Sequence, residues 1–343
     1  MNWEEYKEKF QEQAINDGLP QGIIDEYLTY AFILYEKNLP VIYDQAQFSL
    51  LVGYNVEFIL KASNSNGPFY RTYEIPKRNG GFRRIDEPLP SLKAIQRWIL
   101  DNILSHVEIS EFAHAFAKSS SITKNAKPHL KSNKILSLDI VNFFGTIDFP
   151  RVYSLFTKLG YNNVVATTLS HLVTFRGVLP QGAPTSPSIS NIVAMRMDRR
   201  FAGFAKKFRL EYTRYADNLT FSGEFASGTV ISFARKVVEE EGFKLNESKT
   251  RAMGRHQAQE VTGILTNEKL QVPRHLRRKL RQIAYHISTY GLDDHLRMTG
   301  CLRTNYILHI LGLASHVLHA NPQDKDATFL KHVLCEKGKK GTD

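Results

Sequence analysis

Asp139 and Asp217 are the residues of this 343-residue chain whose setting best suits chemistry. Asp139 closes the strand-like run Ile135-Leu136-Ser137-Leu138-Asp139-Ile140, with Phe143-Phe144 just beyond it. Asp217 lies in Tyr215-Ala216-Asp217-Asn218, a tight turn between the alternating run Leu210-Glu211-Tyr212-Thr213-Arg214 and Leu219-Thr220-Phe221. Two carboxylates delivered from separate strands can share a pair of divalent cations about 4 Å apart. Such a pair stabilises both the attacking and the leaving oxygen of an in-line phosphoryl displacement. One strand-end aspartate alone is as a rule a turn or cap residue, so the weight rests on the two together.

The elements that must position these acids are legible in the pattern around them. Residues 4–38 read as helical from apolar positions three and four apart, and Asn64-Ser65-Asn66-Gly67 marks a loop. The strand-like Tyr70–Ile75, a turn through Pro76-Lys77-Arg78-Asn79-Gly80-Gly81 and the return run Phe82-Arg83-Arg84-Ile85 predict a hairpin. A helix over Ser91–Ser105 follows, with Ser91 as its cap. From Lys134 to Leu265 strands and helices alternate between glycines and prolines, and beyond Pro273 the pattern turns helical and basic, with an apolar stretch from Tyr306 to Val317.

A 42% hydrophobic composition is enough for a substantial core, and two cysteines, Cys301 and Cys335, cannot make a disulfide framework or a zinc cluster. Both are expected to be reduced. No apolar run reaches the roughly 20 residues of a membrane span, and the first residues lack the regions of a signal peptide, so the expectation is a cytoplasmic protein with no membrane partner. The net charge of +11 favours a polyanionic partner, although many basic proteins only carry solvated basic faces. The basic residues recur at Lys77-Arg78, Arg83-Arg84, Arg199-Arg200, Lys206-Lys207, Arg274 to Arg281 and Lys337 to Lys340. A channel lined from several segments explains that spread better than one basic tail.

Taken in order, these residues resemble a reverse transcriptase. Leu138-Asp139-Ile140 with Phe143-Phe144 resembles that family's first metal motif, and Tyr215-Ala216-Asp217-Asn218 its second. Pro180-Gln181-Gly182-Ala183-Pro184-Thr185-Ser186-Pro187 is similar to the segment beside the incoming nucleotide. Gly242-Phe243-Lys244-Leu245-Asn246 with Lys249-Thr250 is similar to the next palm motif, and Ile75-Pro76-Lys77 through Ile85 to the fingers hairpin. Asn125-Ala126-Lys127-Pro128-His129 and Val261-Thr262-Gly263 narrow the resemblance to bacterial retron reverse transcriptases.

The resemblance implies an α+β right-hand polymerase with fingers, palm and helical thumb and no RNase H domain. Residues 1–133 would supply the N-terminal helices and fingers, 134–265 the palm with part of the fingers inserted around 150–180, and 266–343 a basic thumb that reads RNA. It further implies reverse transcription of a cognate structured non-coding RNA of the msr–msd type, primed from an RNA 2′-hydroxyl, giving branched RNA-linked DNA. Two Mg²⁺ ions, with Mn²⁺ as a substitute, and dNTPs would be required. A separate effector protein and a role in antiphage defence are implied as well.

Residue by residue, Asp139, Asp217 and the Ile140 carbonyl would hold the metals, with Asn218 acting at longer range. Phe144 would gate against a ribose 2′-hydroxyl, or else fill core. Gln181 would lie beside the nucleotide on a loop shaped by Gly182. Lys77 and Arg83 would grip the triphosphate, or remain solvated. Lys249 would protonate the leaving pyrophosphate, or serve as a surface lysine. His129 would contact RNA or the polymerase body, or sit satisfied in the interior. Arg274, Arg277, Arg278 and Arg281, at helical spacing, would grip the RNA backbone, or line a solvated helix face.

Asn218 departs from the family, which places a second aspartate there. The amide keeps shape and an acceptor oxygen but loses charge, so weaker magnesium affinity and a shift towards manganese are expected, and Asn218→Asp should leave or raise activity at low magnesium. Two other functions remain open on sequence: a protein-primed or template-independent defence reverse transcriptase, whose DNA would carry protein at its 5′ end, and a weakened scaffold that only holds RNA or a hybrid.

Overall fold

A computed structural model gives the fold and describes residues 2–77, 80–118, 120–300 and 305–340. Arg78, Asn79 and Cys301, and the side chains of Lys337, Lys339 and Lys340, lie outside what is described. Helices and antiparallel sheets are mixed, the expected α+β class. The strands among the described residues are β1 (Tyr70–Pro76), β2 (Phe82–Pro88), β3 (Lys134–Asp139), β4 (Glu211–Tyr215), β5 (Asn218–Gly223), β6 (Arg251–Gly254), β7 (Glu260–Val261) and β8 (Ile264–Leu265). β1 pairs with β2, β7 with β8, and the remaining four form one sheet in the order β4-β5-β3-β6.

Two compact units emerge, and they are interleaved in the chain. The first comprises Met1–Ala117, Ile140–Arg200 and Lys236–Leu245. Its N-terminal stretch is two helices, Trp3–Asn16 and Gln21–Glu36, where the pattern suggested helix throughout 4–38. Gly18 at φ +76 and Pro20, the N-cap of the second helix, separate them, because a left-handed residue and a proline cannot continue a helix. The helix after the hairpin runs Pro90–Asn102 with Leu89 at its N-cap and no side-chain cap bond. Ser91 therefore sits inside the first turn and does not cap; Pro90 starts the helix, its missing N–H costing nothing there.

The second unit comprises Lys118–Asp139, Phe201–Arg235 and Asn246–Asp343. It holds the four-stranded sheet together with the C-terminal helices, and Ile135, Val261, Ile264, Leu280, Ile283, Ile310, Val317 and Leu330 belong to one buried cluster. The helix Arg274–Tyr290 buries Leu280, Ile283, Ala284 and Ile287, which recur at three and four residues, so its basic residues fall on the remaining faces. Because the sheet is antiparallel with period two, register decides its faces. Asp139 pairs with Asn218, Ser137 with Thr220, and Thr213 with Thr220, so these residues share one polar face with Ser222 and Tyr215. Leu136, Leu138, Tyr212, Leu219 and Phe221 form the opposite face, where Phe201 meets Tyr212 at 5.3 Å and Phe221 at 5.5 Å between ring centroids.

Candidate active site

The β4–β5 connection is as short as a hairpin allows. Tyr215 pairs with Asn218, leaving Ala216 and Asp217 as the two turn residues. Ala216 has φ +55, a conformation that costs a residue with a Cβ on the order of 1–3 kcal/mol and persists only where the surroundings enforce it. Arg214, wholly buried, is part of that enforcement: its guanidinium donates to the Ala216 carbonyl at 3.2 Å. The Asn218 amide donates to Asp217 Oδ1 at 3.0 Å. The turn thus presents Asp217 already hydrogen-bonded, beside the strand that ends in Asp139.

Asp139 is buried, 7% exposed, and held from both sides. Its carbonyl accepts the Asn246 N–H at 2.7 Å, and Lys249 Nζ lies 3.0 Å from each of its carboxylate oxygens. Next along the chain, Ile140 pairs with Leu245 as an isolated bridge, and the Val141 N–H donates to the Lys244 carbonyl at 2.8 Å. Neither bond of that bridge uses the Ile140 carbonyl. Two carboxylates, one closing β3 and one in the β4–β5 turn, with the neighbouring Asn218 amide, make an all-oxygen set of the kind that suits magnesium, and the Lys249 ammonium already pairs a positive charge with Asp139. Among the described residues no group of three or more His, Cys, Asp or Glu side chains gathers to hold a metal, so a cation held by this unit would depend on the two carboxylates and the amide oxygen.

Behind the turn, the polar face of the hairpin is covered by the segment that contains Asn125 and His129. His129 is completely buried; its Nδ1 bonds Ser222 Oγ on β5 at 2.7 Å and its Nε2 bonds Thr213 Oγ1 on β4 at 2.8 Å. The expected RNA contact of His129 is therefore corrected: no ring edge reaches solvent, and the ring clasps the two strands that flank Asp217. Asn125 Nδ2 donates to Thr262 Oγ1 at 3.2 Å, which joins the two short signatures directly. Thr262 and Gly263 form the β7–β8 turn at φ +49 and +82; a β-branched residue is rare there, and the hydroxyl contact with Asn125 gives it a reason.

The nucleotide-facing candidates belong to the first unit. The described Lys77 and Arg83 flank the β1–β2 turn, both exposed, and neither side chain makes a hydrogen bond or ion pair among the described residues. The base of the hairpin is tied to the Gln181 segment, since the Asp86 N–H donates to the Gln181 carbonyl at 2.9 Å. Gly182, at φ +142, approaches so closely that a Cβ would lie 2.7 Å from the Asp86 carbonyl oxygen, so neither its conformation nor its space admits a side chain. Phe143 takes the core position, 3% exposed and 5.3 Å from the Phe243 ring. Phe144 is only half-buried, in tilted contact with Phe143 at 5.8 Å and Phe116 at 6.4 Å, so core filling falls to its neighbour.

On the helix Arg274–Tyr290, Arg274, Arg278 and Arg281 are exposed and Arg277 is half-buried with Nε lacking a partner. Arg281 is tied to Asp326 at 3.1 Å. Sequence reasoning missed Arg214, Thr213 and Ser222. The available signal was a charged residue in the middle of an apolar-alternating strand, which a folded chain tolerates only with dedicated partners.

Residues 75–273 match the family described as reverse transcriptase (RNA-dependent DNA polymerase), and the chain belongs to that family. Within it the relatives are retron enzymes of bacteria. The chain is 37% identical over 278 residues to the retron Mx65 reverse transcriptase of Myxococcus xanthus, covering 75% of this chain and 62% of that protein. It is 32% identical over 321 residues to the retron Ec86 reverse transcriptase of Escherichia coli, covering 92% and 96%. At these identities the group is the bacterial retron reverse transcriptases. A telomerase from Candida albicans solved with a fragment of telomeric RNA is similar at TM-score 0.45 and 11% identity, covering 78% of this chain and 63% of that one. No helix among the described residues is long and apolar enough to cross a membrane.

Proposed function

We propose that this chain synthesises DNA on a structured non-coding RNA from its own locus, with that RNA as both template and primer. The observation that carries the reading is the register of Asp139 against Asn218 beside the Asp217 turn, in a chain of this family. Asp139, Asp217 and the Ile140 carbonyl hold divalent cations, with Mg²⁺ the natural occupant and Mn²⁺ a substitute, while Asn218 acts from behind Asp217. When bound, the cation pair activates the attacking hydroxyl and neutralises charge on the leaving pyrophosphate. Lys77 and Arg83, exposed and without a partner among the described residues, donate to the triphosphate, and Lys249 supplies a proton to the pyrophosphate as it leaves. Gln181 and Gly182 line the nucleotide's position, and the half-exposed Phe144 ring excludes a ribose 2′-hydroxyl.

Arg274, Arg277, Arg278 and Arg281 grip the backbone of the RNA from the thumb, residues 266–343; the palm is 134–265 and the N-terminal helices and fingers are 1–133. The relatives are named retron reverse transcriptases, and on the retron reading the RNA is of the msr–msd type, the first bond is made to an RNA 2′-hydroxyl and the product is a branched RNA–DNA. Antiphage defence with a separate effector protein belongs to the same reading.

The test is expression of the chain with the DNA flanking its gene, followed by extraction of total nucleic acid. A small DNA that shortens with ribonuclease and disappears in Asp217→Ala supports the proposal. RNA bound to the purified chain without such DNA would replace synthesis by a scaffold role, and DNA with protein at its 5′ end would replace the RNA primer.

A further inference from the structure

We infer that Lys249 is a tethered cation that keeps Asp139 paired until a divalent ion displaces it, so that loading metal and freeing Lys249 are one event. This rests on the reading of Asp139 and Asp217 as metal ligands. Lys249 closes the short helical turn Glu247–Lys249, which begins immediately after Asn246, the residue whose N–H is bonded to the Asp139 carbonyl. That anchor sets the reach of the lysine, and its Nζ stands 3.0 Å from both Oδ1 and Oδ2. An ammonium straddling both oxygens occupies the edge of the carboxylate that a divalent cation would use, and two like charges cannot share it.

The rest of the site is quenched in the same way. The Asn218 amide donates to Asp217 Oδ1, so the second carboxylate is also satisfied without a metal. A second aspartate at position 218 would instead add repulsion that only bound cations relieve. With asparagine there, the two carboxylates and one ammonium leave a net charge of −1, from −2 and +1, and an incoming cation competes with a partner already in place. The Asp139 side chain is 10% exposed and that of Lys249 is 58% exposed, so the carboxylate is the fixed member and the lysine the one free to swing away. Release places an unpaired ammonium at the site only once metal has arrived, which orders metal loading before proton donation to the leaving group.

The experiment is a Mn²⁺ titration of the full chain without nucleic acid or dNTPs, read by the paramagnetic resonance of free Mn²⁺. Lys249→Met, Lys249→Arg and Asp139→Asn are compared with the unaltered chain, and thermal melts check folding. Two unit charges about 3 Å apart near a protein surface interact by a few kcal/mol before solvent screening. Discounted for an exposed lysine, that gives about tenfold tighter Mn²⁺ binding for Lys249→Met. Lys249→Arg, whose fork grips a carboxylate more firmly, should bind more weakly than the unaltered chain. Equal or weaker binding by Lys249→Met, with binding still lost in Asp139→Asn, would overturn the displacement and leave the metal site standing. Absence of any Asp139-dependent site in every variant would overturn the metal reading and the inference with it.

Discussion

The two hairpins that carry the proposed chemistry are built in opposite ways. β4 and β5 are buried along most of their length, with His129 clasping the polar face and Phe201 against the apolar one. β1 and β2 are exposed over most of their length, half-buried at Ile85, Asp86 and Glu87 and buried at Tyr70 and Pro88, and Lys77 and Arg83 beside their turn have no partner among the described residues, while Arg84 pairs with Asp86. The difference follows from what each must meet. On the proposed reading a carboxylate that holds a cation acts through fixed geometry, which suits a turn whose left-handed Ala216 is held by Arg214. A donor that meets a triphosphate arriving from solvent must be undocked beforehand, because any internal partner would have to be broken first.

If the buried hairpin is fixed by its clasp, breaking the clasp should give the largest effect on stability. His129→Ala takes one partner from each of two buried hydroxyls, leaving Thr213 Oγ1 the Asn125 carbonyl and Ser222 Oγ the Ser132 hydroxyl, and opens a void, and should cost about 2–4 kcal/mol in chemical denaturation. His129→Gln, which keeps one donor and one acceptor, should recover part of that loss; no destabilisation in either variant would mean that the hairpin holds its own shape. The next largest effect should fall where the exposed hairpin is anchored. Gly182→Ala forces a Cβ to 2.7 Å from the Asp86 carbonyl at φ +142, and should cost about 1–3 kcal/mol while raising KM for dNTPs. A variant with an unchanged denaturation midpoint and an unchanged KM would show that the Gln181 segment does not seat the hairpin.

What could be read in advance tracks how local the cause is. The alternating run 210–214, the turn at Asp217 and the basic hairpin are short-range patterns, and β1 to β5 fall within a few residues of where periodicity places them, whereas the short β6, β7 and β8 had no such signal. The pairing of Lys249 with Asp139 joins residues 110 apart in the chain, and nothing in either segment announces it. His129 stood undecided between RNA and interior because a histidine suits both; only the placement of Thr213 and Ser222 on one face settles it. Arg214 was hidden for a related reason: burial of a charge is decided by what the rest of the fold brings to it. Ser91 misled because a good capping residue lies one position after a proline that already starts the helix.

At the exposed hairpin the effects should be small on stability and visible in kinetics. Arg83→Ala should leave the denaturation midpoint within about 0.5 kcal/mol while raising KM for dNTPs about tenfold, roughly 1.4 kcal/mol of lost contact. A loss of stability with KM unchanged would make Arg83 structural. The smallest effect belongs to Glu87 on β2, which Lys93 and Arg71 hold at 2.9 Å each and whose carboxyl lies below the usual glutamate range because of those bonds, Lys93 first. A depressed value in the fold means that the pair stabilises above the unfolded value of about 4.3, and that this support is lost as pH falls through the lower folded value. Glu87→Gln should therefore cost little at pH 7, since solvent reaches and screens the half-buried pair, but should flatten the acid limb of the stability curve. An acid limb unchanged by the substitution would place the acid sensitivity elsewhere and leave the base of this hairpin to its backbone ladder, the Gln181 carbonyl and the bonds of Asp86 to Thr72 and Arg84.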